Sequence, residues 1–390
     1  MFLLDKPYIS DFLINTIREN NFPVIASSEA KDLISDNTLN WITEEGAIAL
    51  CKDQSDPVIY SNSENAIHWV NKNLSFSNLP DKILFFKDKI KFRELIKDIY
   101  PTYFYKGVQL SEIENLNLKN IECPFIIKPA VGFFSMGVYK VDNFDEWKII
   151  SKKIVMEANN MKTIYPVEVI DPGQFIIEEF INGEEYAIDC YFNKSGEPVV
   201  LNILHHIFSS GKDVSDRVYS TSKKIIEKYI AKIEDFLKII GQKLNLKNFP
   251  IHMEVRIDQK GKIIPIEINP LRFGGWCTTG DLSWHAYGIN SYEYFIKETK
   301  PDWNKIFTSR PDNIFSIIVL DNNSGIKESD IVSFDYEKLM KTFTKPLVLR
   351  KVNYLEYPVF GFLFLENDQK TKNELVSILT SNLRNYIKIK

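Results

Sequence analysis

The chain has 390 residues, 44% hydrophobic and 26% charged, with a formal net charge of −4. A chain this long buries several cores, so two or three domains are expected. The acidic balance and the lack of a long basic run speak against a nucleic-acid-binding protein, and no apolar run reaches the roughly 18 residues of a membrane span. A helical pattern runs from Ile9 to Arg18, with Phe12, Leu13 and Ile17 on one face. PVIAS at 23–27 and PVIYS at 57–61 are short β runs, each led by proline. Together they predict a small α/β domain with a parallel sheet over residues 1–85. Helical signals follow in SENAIHWVNKNL and in KDKIKFRELIKDIY, which contains Lys89.

CPFIIKPAVGFFSMGVYKV reads as strand, loop, strand, and QFIIEEFI as a further strand. EEYAIDCYFNKSGEPVVLNILHH predicts a hairpin turning at Asn193–Glu197. HHIFSSGKDVSDRVYS, with His205, His206, Ser209, Ser210, Arg217 and Ser220, reads as a mobile polar segment near a site, although His206 reads as a satisfied structural histidine before a base. Residues 222–244 form an amphipathic helix with Ile226, Tyr229, Ile230, Ile233, Phe236, Leu237 and Ile240 on its apolar face. A helix is expected near 282–298. FSIIVLD, PLVLRKV and VFGFLFLE predict strands and 370–386 a helix, in a separate C-terminal lobe whose expected role is packing or homodimer formation.

The four cysteines, Cys51, Cys123, Cys190 and Cys277, lie scattered without metal-ligand spacing. They read as reduced thiols of a cytoplasmic protein, and Cys277 has no identifiable histidine partner. MFLLDKPYIS meets Asp5 too early for a secretory signal.

The most pointed stretch is HMEVRIDQKGKIIPIEINPLRFGGW, from His252 to Trp276. Ile251, Met253, Val255 and Ile257 share one face; His252, Glu254 and Arg256 share the other. Asp258–Gly261 is turn chemistry, and Glu267 and Asn269 share the polar face of the second strand. In an antiparallel hairpin of odd-sum register, Glu254 lies opposite Glu267 or diagonal to it. Like charges there repel. Something positive is needed between them, either an arginine or lysine or a hard cation; two carboxylates plus an amide oxygen suit magnesium. An ordinary solvated hairpin is the competing reading, but the loop that follows carries Arg272 directly beside the acids.

Phosphates need cations and backbone N–H groups. Lys128 stands in FIIKP, and Gly132–Gly137 is a glycine-flanked loop able to fold over a triphosphate or simply to turn a hairpin. Neither G-x-x-x-x-G-K-[ST] nor G-x-G-x-x-G occurs. FIIEEFINGEEYAI breaks at Asn182–Gly183, with Glu185 just beyond; a strand edge there can pair with an adenine and a carboxylate can hold ribose hydroxyls, or the acids are merely exposed.

The order of these elements resembles the ATP-grasp superfamily, of the carboxylate–amine ligase type, over roughly residues 85–300. The resemblance implies an α/β (α+β) chain: an N-terminal pre-ATP-grasp domain at 1–85, an ATP-grasp domain at 86–300 with a small lid subdomain at about 100–180 and a larger one at about 181–300, and a C-terminal α+β lobe at 301–390. It implies that Lys89 and Lys128 hold phosphates. Ser135, Met136 and Gly137 would cover the triphosphate, Glu178 and Ile181 would form the adenine-side hinge, and Glu185 would hold the ribose. Glu254, Glu267 and Asn269 would ligate two Mg2+ ions, with Mn2+ as an alternative. Arg272 would steady an acyl phosphate, although the chain reads Asn-Pro-Leu-Arg where Asn-Pro-Arg is commoner. Arg272 and Glu267 are the expected catalytic residues. The implied reaction joins a small-molecule carboxylate to an amine at the expense of ATP. The alternatives are a phosphotransferase acting on a hydroxyl, and a non-catalytic nucleotide-binding regulator. Trp276 and Trp284 either line a substrate pocket or pack.

Overall fold

The computed structural model describes residues 1–132, 137–161, 171–210 and 215–390, with side chains left aside at 159–161 and 171–172. The first sheet is parallel, in the order β3-β2-β1-β4, from Phe2–Leu3 (β1), Pro23–Ile25 (β2), Asn40–Ile42 (β3) and Tyr60–Ser61 (β4). It is the α/β arrangement expected from PVIAS and PVIYS, with β3 added at an edge. Side-chain caps start its helices: Ser10 accepts from Leu13 N, Ser27 from Ala30 N and Thr43 from Gly46 N. The helical signal in KDKIKFRELIKDIY corresponds to the helix Lys89–Leu95. Asp88 ends the helix Leu79–Lys87 and caps the next, Lys89–Leu95, by accepting from the N–H groups of Ile90 and Lys91.

A second sheet is antiparallel, in the order β5-β8-β6-β7, from Tyr105–Gln109 (β5), Phe125–Val131 (β6), Tyr139–Val141 (β7) and Asp171–Glu179 (β8). One face is covered by the helix Phe144–Met161, and the two enclose a small core around Phe125, Ile127, Trp147, Ile154 and Phe175.

The largest sheet has eight strands in the order β13-β12-β9-β10-β11-β14-β17-β16. They are Glu184–Phe192 (β9), Pro198–Ile207 (β10), Val218–Thr221 (β11), Phe249–Ile257 (β12), Ile263–Pro270 (β13), Ile314–Asp321 (β14), Pro346–Lys351 (β16) and Val359–Asn367 (β17); Ile331–Phe334 (β15) pairs separately with Ile387–Ile389 (β18). The helix Lys223–Leu244 lies on it with Ile226, Tyr229, Ile233, Phe236, Leu237 and Ile240 buried, as its periodicity predicts. Gly241 lets the two approach closely, since a Cβ there would meet the Phe192 ring at 2.5 Å. Gly183, between β8 and β9, has φ +135, and a side chain there would strike the Ile257 carbonyl at 2.5 Å.

Several expectations need correction. The strands of 301–390, expected in a lobe apart, extend the central sheet: β14 hydrogen-bonds to β11, and β17 and β16 follow outward. Only Asn373–Leu379 is α-helical within 370–386, and Gly288 divides 282–298 into Thr278–Tyr287 and Ser291–Ile296. HHIFSSGKDVSDRVYS is not a mobile segment throughout. His205–Ile207 and Val218–Ser220 are paired antiparallel strands, because alternate residues of each can be buried against the sheet; 211–214 lie outside the described residues. Among the described residues no helix is long and apolar enough to cross a membrane.

Candidate active site

Antiparallel register stacks polar residues into rungs on one face of the central sheet. β9, β12 and β13 place Asp189, His252 and Asn269 in one rung, and Ala187, Glu254 and Glu267 in the next. A third rung runs from His206 through Glu185 to Arg256. Glu254 is directly opposite Glu267, one of the two expected positions. A bulge then shifts the register, so that Val255 pairs with Pro265.

The rungs differ in charge. His206 and Arg256 flank Glu185, at 2.8 Å and 3.0 Å, and neutralise it within its own rung. The acid rung has no cation of its own. Lys89 reaches it from the start of the helix Lys89–Leu95, with Nζ 3.2 Å from Glu267 Oε2. Asn269 donates to Glu267 Oε1 at 3.3 Å. Burial raises the Glu254 carboxyl well above the usual range, and the Glu267 charge raises it further. Burial opposes Glu267 too, but Lys89 and Lys128 outweigh it and hold that carboxyl below its ordinary value. About a quarter of each side chain stays exposed, 25% for Glu254 and 22% for Glu267, so solvent moderates the repulsion without removing it.

Around the acids lie two buried ion-pair systems. Glu178 takes Arg93 Nε on one oxygen and Lys128 Nζ on the other, the latter at 2.7 Å. Burial alone would raise Glu178; Arg93 and Lys128 bring it down to about 2. Burial lowers Lys128, with Lys89 and Arg93 adding to the effect and Glu178 opposing it. The second system joins the N-terminal sheet to the loop after β13. Glu64, three residues beyond β4, pairs with Lys87 and accepts from Arg272 Nη2 at 2.8 Å. Burial opposes its charge, yet Lys87 and Arg272 hold it at about 2. Ser61 N donates to the Leu271 carbonyl at 2.7 Å, which fixes the same junction, and Leu271 adopts φ +60.

The predicted residues thus fall into different situations. Lys89, Glu254, Glu267 and Asn269 converge, with Lys128 at their border. Glu178 is not an open hinge group: its carboxylate is enclosed between Arg93 and Lys128, because a buried charge must be paired. The Ile181 carbonyl accepts from Arg256 Nη1 at 2.9 Å, and Glu185 is already held by His206 and Arg256. Arg272 is held by Glu64. Ser135 and Met136 lie outside the described residues; Gly137 has φ +72, and the Gly132 carbonyl accepts from Lys89 at 3.3 Å. Arg217 is buried away from this polar face, where it pairs with Asp321 and donates to the Ile378 and Ser381 carbonyls. Ser220 pairs with Ser316 at 2.8 Å, and His205 with Glu184 at 2.8 Å. Trp276 packs against Tyr8, Tyr357 and Phe362, and Trp284 lies beside Phe12. Burial, aided by Asp281, pushes the Cys277 thiol up to about 11, the opposite of what an activated thiolate needs.

Sequence reasoning did not find Glu64, Lys87, Arg93, Asp189 or the role of Arg256. KIKFREL carries Arg93 among other charges with nothing to mark it as buried. YAIDCYF offered a clue, a lone acid within an apolar strand, at Asp189.

Among the described residues no three His, Cys, Asp or Glu side chains form a metal cage. Two carboxylates and one amide oxygen nevertheless fit magnesium, which is commonly held by one or two carboxylates together with substrate phosphates. The raised Glu254 carboxyl marks negative charge that Lys89 leaves uncompensated.

Residues 121–280 match the ATP-grasp domain family. A D-alanine–D-alanine ligase from Petrotoga mobilis is 29% identical over 128 residues, spanning 33% of this chain and 36% of that one, so the chain matches about a third of that relative's length. An L-amino acid ligase from Bacillus licheniformis superposes with a TM-score of 0.68 at 16% identity, covering 100% of this chain and 98% of that chain. Biotin carboxylase from Campylobacter jejuni gives 0.64 at 14% identity, covering 100% and 92%. N5-carboxyaminoimidazole ribonucleotide synthetase from Thermotoga maritima gives 0.62 at 13%, covering 100% and 98%. Those structural likenesses show the fold, and the stretch that matches the ATP-grasp domain family, residues 121–280, contains the acid hairpin and the strands leading to it.

Proposed function

We propose that this chain is an ATP-dependent ligase that joins a small-molecule carboxylate, such as that of an amino acid, to an amine, releasing ADP and phosphate. The observation that carries the reading is the acid rung: Glu254 opposite Glu267, with Asn269 and Lys89 beside them. That set suits a nucleotide triphosphate with divalent cations. Glu254, Glu267 and Asn269 would hold Mg2+, in two ions by the family resemblance, or Mn2+. Such ions would neutralise phosphate charge during transfer of the γ-phosphoryl group. The ligases named among the relatives support the class of reaction.

In this reading Lys89 and Lys128 bind phosphate oxygens. A substrate carboxylate oxygen attacks the γ-phosphorus, and the bond to the ADP oxygen breaks. The amine then attacks the acyl carbon, phosphate leaves with the bonding pair, and the amine proton passes to solvent. Arg272 stabilises the charge developing on the phosphoryl and on the tetrahedral centre. Glu64 holds the guanidinium in place, which lowers the cost of ordering it. The expected setting is a soluble small-molecule enzyme of the cytoplasm.

Hydroxylamine tests the reading. With the acid that stimulates turnover, it is expected to intercept the mixed anhydride and give a hydroxamate together with ADP and phosphate. ADP without hydroxamate from every stimulating acid would point to a hydroxyl phosphotransferase; hydroxamate with AMP would point to adenylation. Either result overturns the proposal. Lys128→Ala offers a second check. Its charge acts on phosphates, and Glu178 keeps Arg93 as a partner, so ATP affinity should fall about ten- to a hundredfold with little change for AMP. Calorimetry with both nucleotides measures this, and equal losses for the two would reject the role.

A further inference from the structure

We infer that His252, anchored by Asp189, is a positioning residue that orients the Glu254 carboxylate and thereby sets the site's affinity for a divalent cation; this rests on the reading of the acid rung as a metal site. Asp189 is fully buried and faces His252 in register between β9 and β12. Its Oδ1 accepts from His252 Nδ1 at 2.7 Å and from the Gly274 N–H at 3.1 Å. Its Oδ2 has no hydrogen-bond partner among the described residues. A buried carboxyl oxygen without a partner costs free energy, and packing alone would be served better by an apolar or fully bonded residue.

What Asp189 achieves is a fixed imidazole. His252 is 6% exposed and two residues from Glu254 on the same face of β12. With Nδ1 committed to Asp189, Nε2 stands 3.8 Å from Glu254 Oε1. That distance is too long for a hydrogen bond and short enough that the ring limits where the carboxylate can swing. Partners behind a metal-binding group commonly change metal affinity about 10- to 100-fold when removed. Asp189 also holds Gly274, two residues after Arg272, in a loop with little freedom: a Cβ at Gly274 would meet Thr279 Oγ1 at 2.3 Å. One buried carboxyl therefore references both the acid rung and the arginine loop.

Mn2+ titration of the full chain, followed by the paramagnetic resonance of the free ion, tests this with and without a non-hydrolysable ATP analogue. His252→Asn places an amide near Nδ1, keeps Asp189 partnered, and removes the group facing Glu254. It should weaken Mn2+ binding about tenfold, with ADP affinity in chelator and the thermal midpoint unchanged. His252→Gln, which puts an amide near the Nε2 position, should recover part of that loss. Asp189→Asn should weaken Mn2+ binding in the same direction, and serves if the His252 variants fold poorly. Wild-type Mn2+ affinity in His252→Asn and Asp189→Asn, together with its loss in Glu267→Gln, overturns this inference while leaving the metal site standing. Undiminished Mn2+ binding in Glu267→Gln, or none in the wild type with the analogue, overturns both. Equal losses of Mn2+ and ADP affinity would show a general structural role and also reject it.

Discussion

Glu267→Gln is expected to lower magnesium-dependent ATP turnover by at least about a hundredfold while leaving the fold intact. The two halves of this expectation have one cause. Glu267 is the member of the pair whose carboxyl Lys89 and Lys128 hold below its ordinary value, so in the proposed reading removing its charge removes the stronger cation ligand. A metal ion supplies several kcal/mol of charge stabilisation, and each ~1.4 kcal/mol lost is a factor of ten in rate. The same change relieves the repulsion across the Glu254–Glu267 pair, which offsets the lost attraction to Lys89 and Lys128, so the chain stays folded. Glutamine keeps the side-chain shape and can still accept from Asn269. ADP release against magnesium concentration measures the first effect and thermal denaturation the second. Asn269→Ala should be milder, since a neutral ligand is lost. Unaltered turnover in Glu267→Gln would remove the metal assignment.

Arg93→Ala should be strongly destabilising, by about 3–5 kcal/mol, the usual cost of removing one partner of a buried ion pair, to which the orphaned Pro265 carbonyl adds. Arg93 is 2% exposed and ties three elements together: its own helix, Glu178 on β8, and the Pro265 carbonyl on β13 at 2.7 Å. Its loss leaves Glu178 with Lys128 alone and a buried carbonyl without its donor. Since whole domains are stable by only about 5–15 kcal/mol, this is a large fraction. Denaturant midpoints measure it, and a loss below about 1 kcal/mol would contradict the role. The sign of the acid response follows as well. The Glu178 carboxyl is held at about 2 against an ordinary 4.5, so its stabilisation is full above pH 4.5 and disappears as pH falls through about 2. Without Arg93 the folded-state carboxyl moves back toward its ordinary value, so that loss should be smaller and complete at a higher pH.

The sequence by itself determined what depends on neighbours along the chain. The alternation in HMEVRI and IPIEIN, and the short turn between them, put Glu254 and Glu267 on one polar face, opposite or diagonal to each other, because side chains alternate along a strand; the bulge between Glu254 and Val255 then decided that they stand opposite. The same local logic located the helix Lys223–Leu244 and the hairpin at Asn193–Glu197, where burial repeats every 3.6 or every 2 residues. The likeness of the ordered motifs to an ATP-grasp chain could also be seen before any coordinates. Tertiary structure alone decided which charges meet. Arg93 and Glu178 are 85 residues apart, Asp189 and His252 are 63, and Glu64 and Arg272 are 208. Nothing periodic links such positions, and an arginine bound for the interior looks the same in sequence as one bound for solvent. The joining of β14 to β11 was hidden for the same reason, since an edge strand exposes the same N–H and C=O groups whichever strand comes to pair with it. Desolvation then decides the chemistry: burial makes an unpaired charge costly, so the fold brings in Lys128 and Arg93 for Glu178 and Lys87 and Arg272 for Glu64, and leaves the rung of Glu254 and Glu267 only partly compensated.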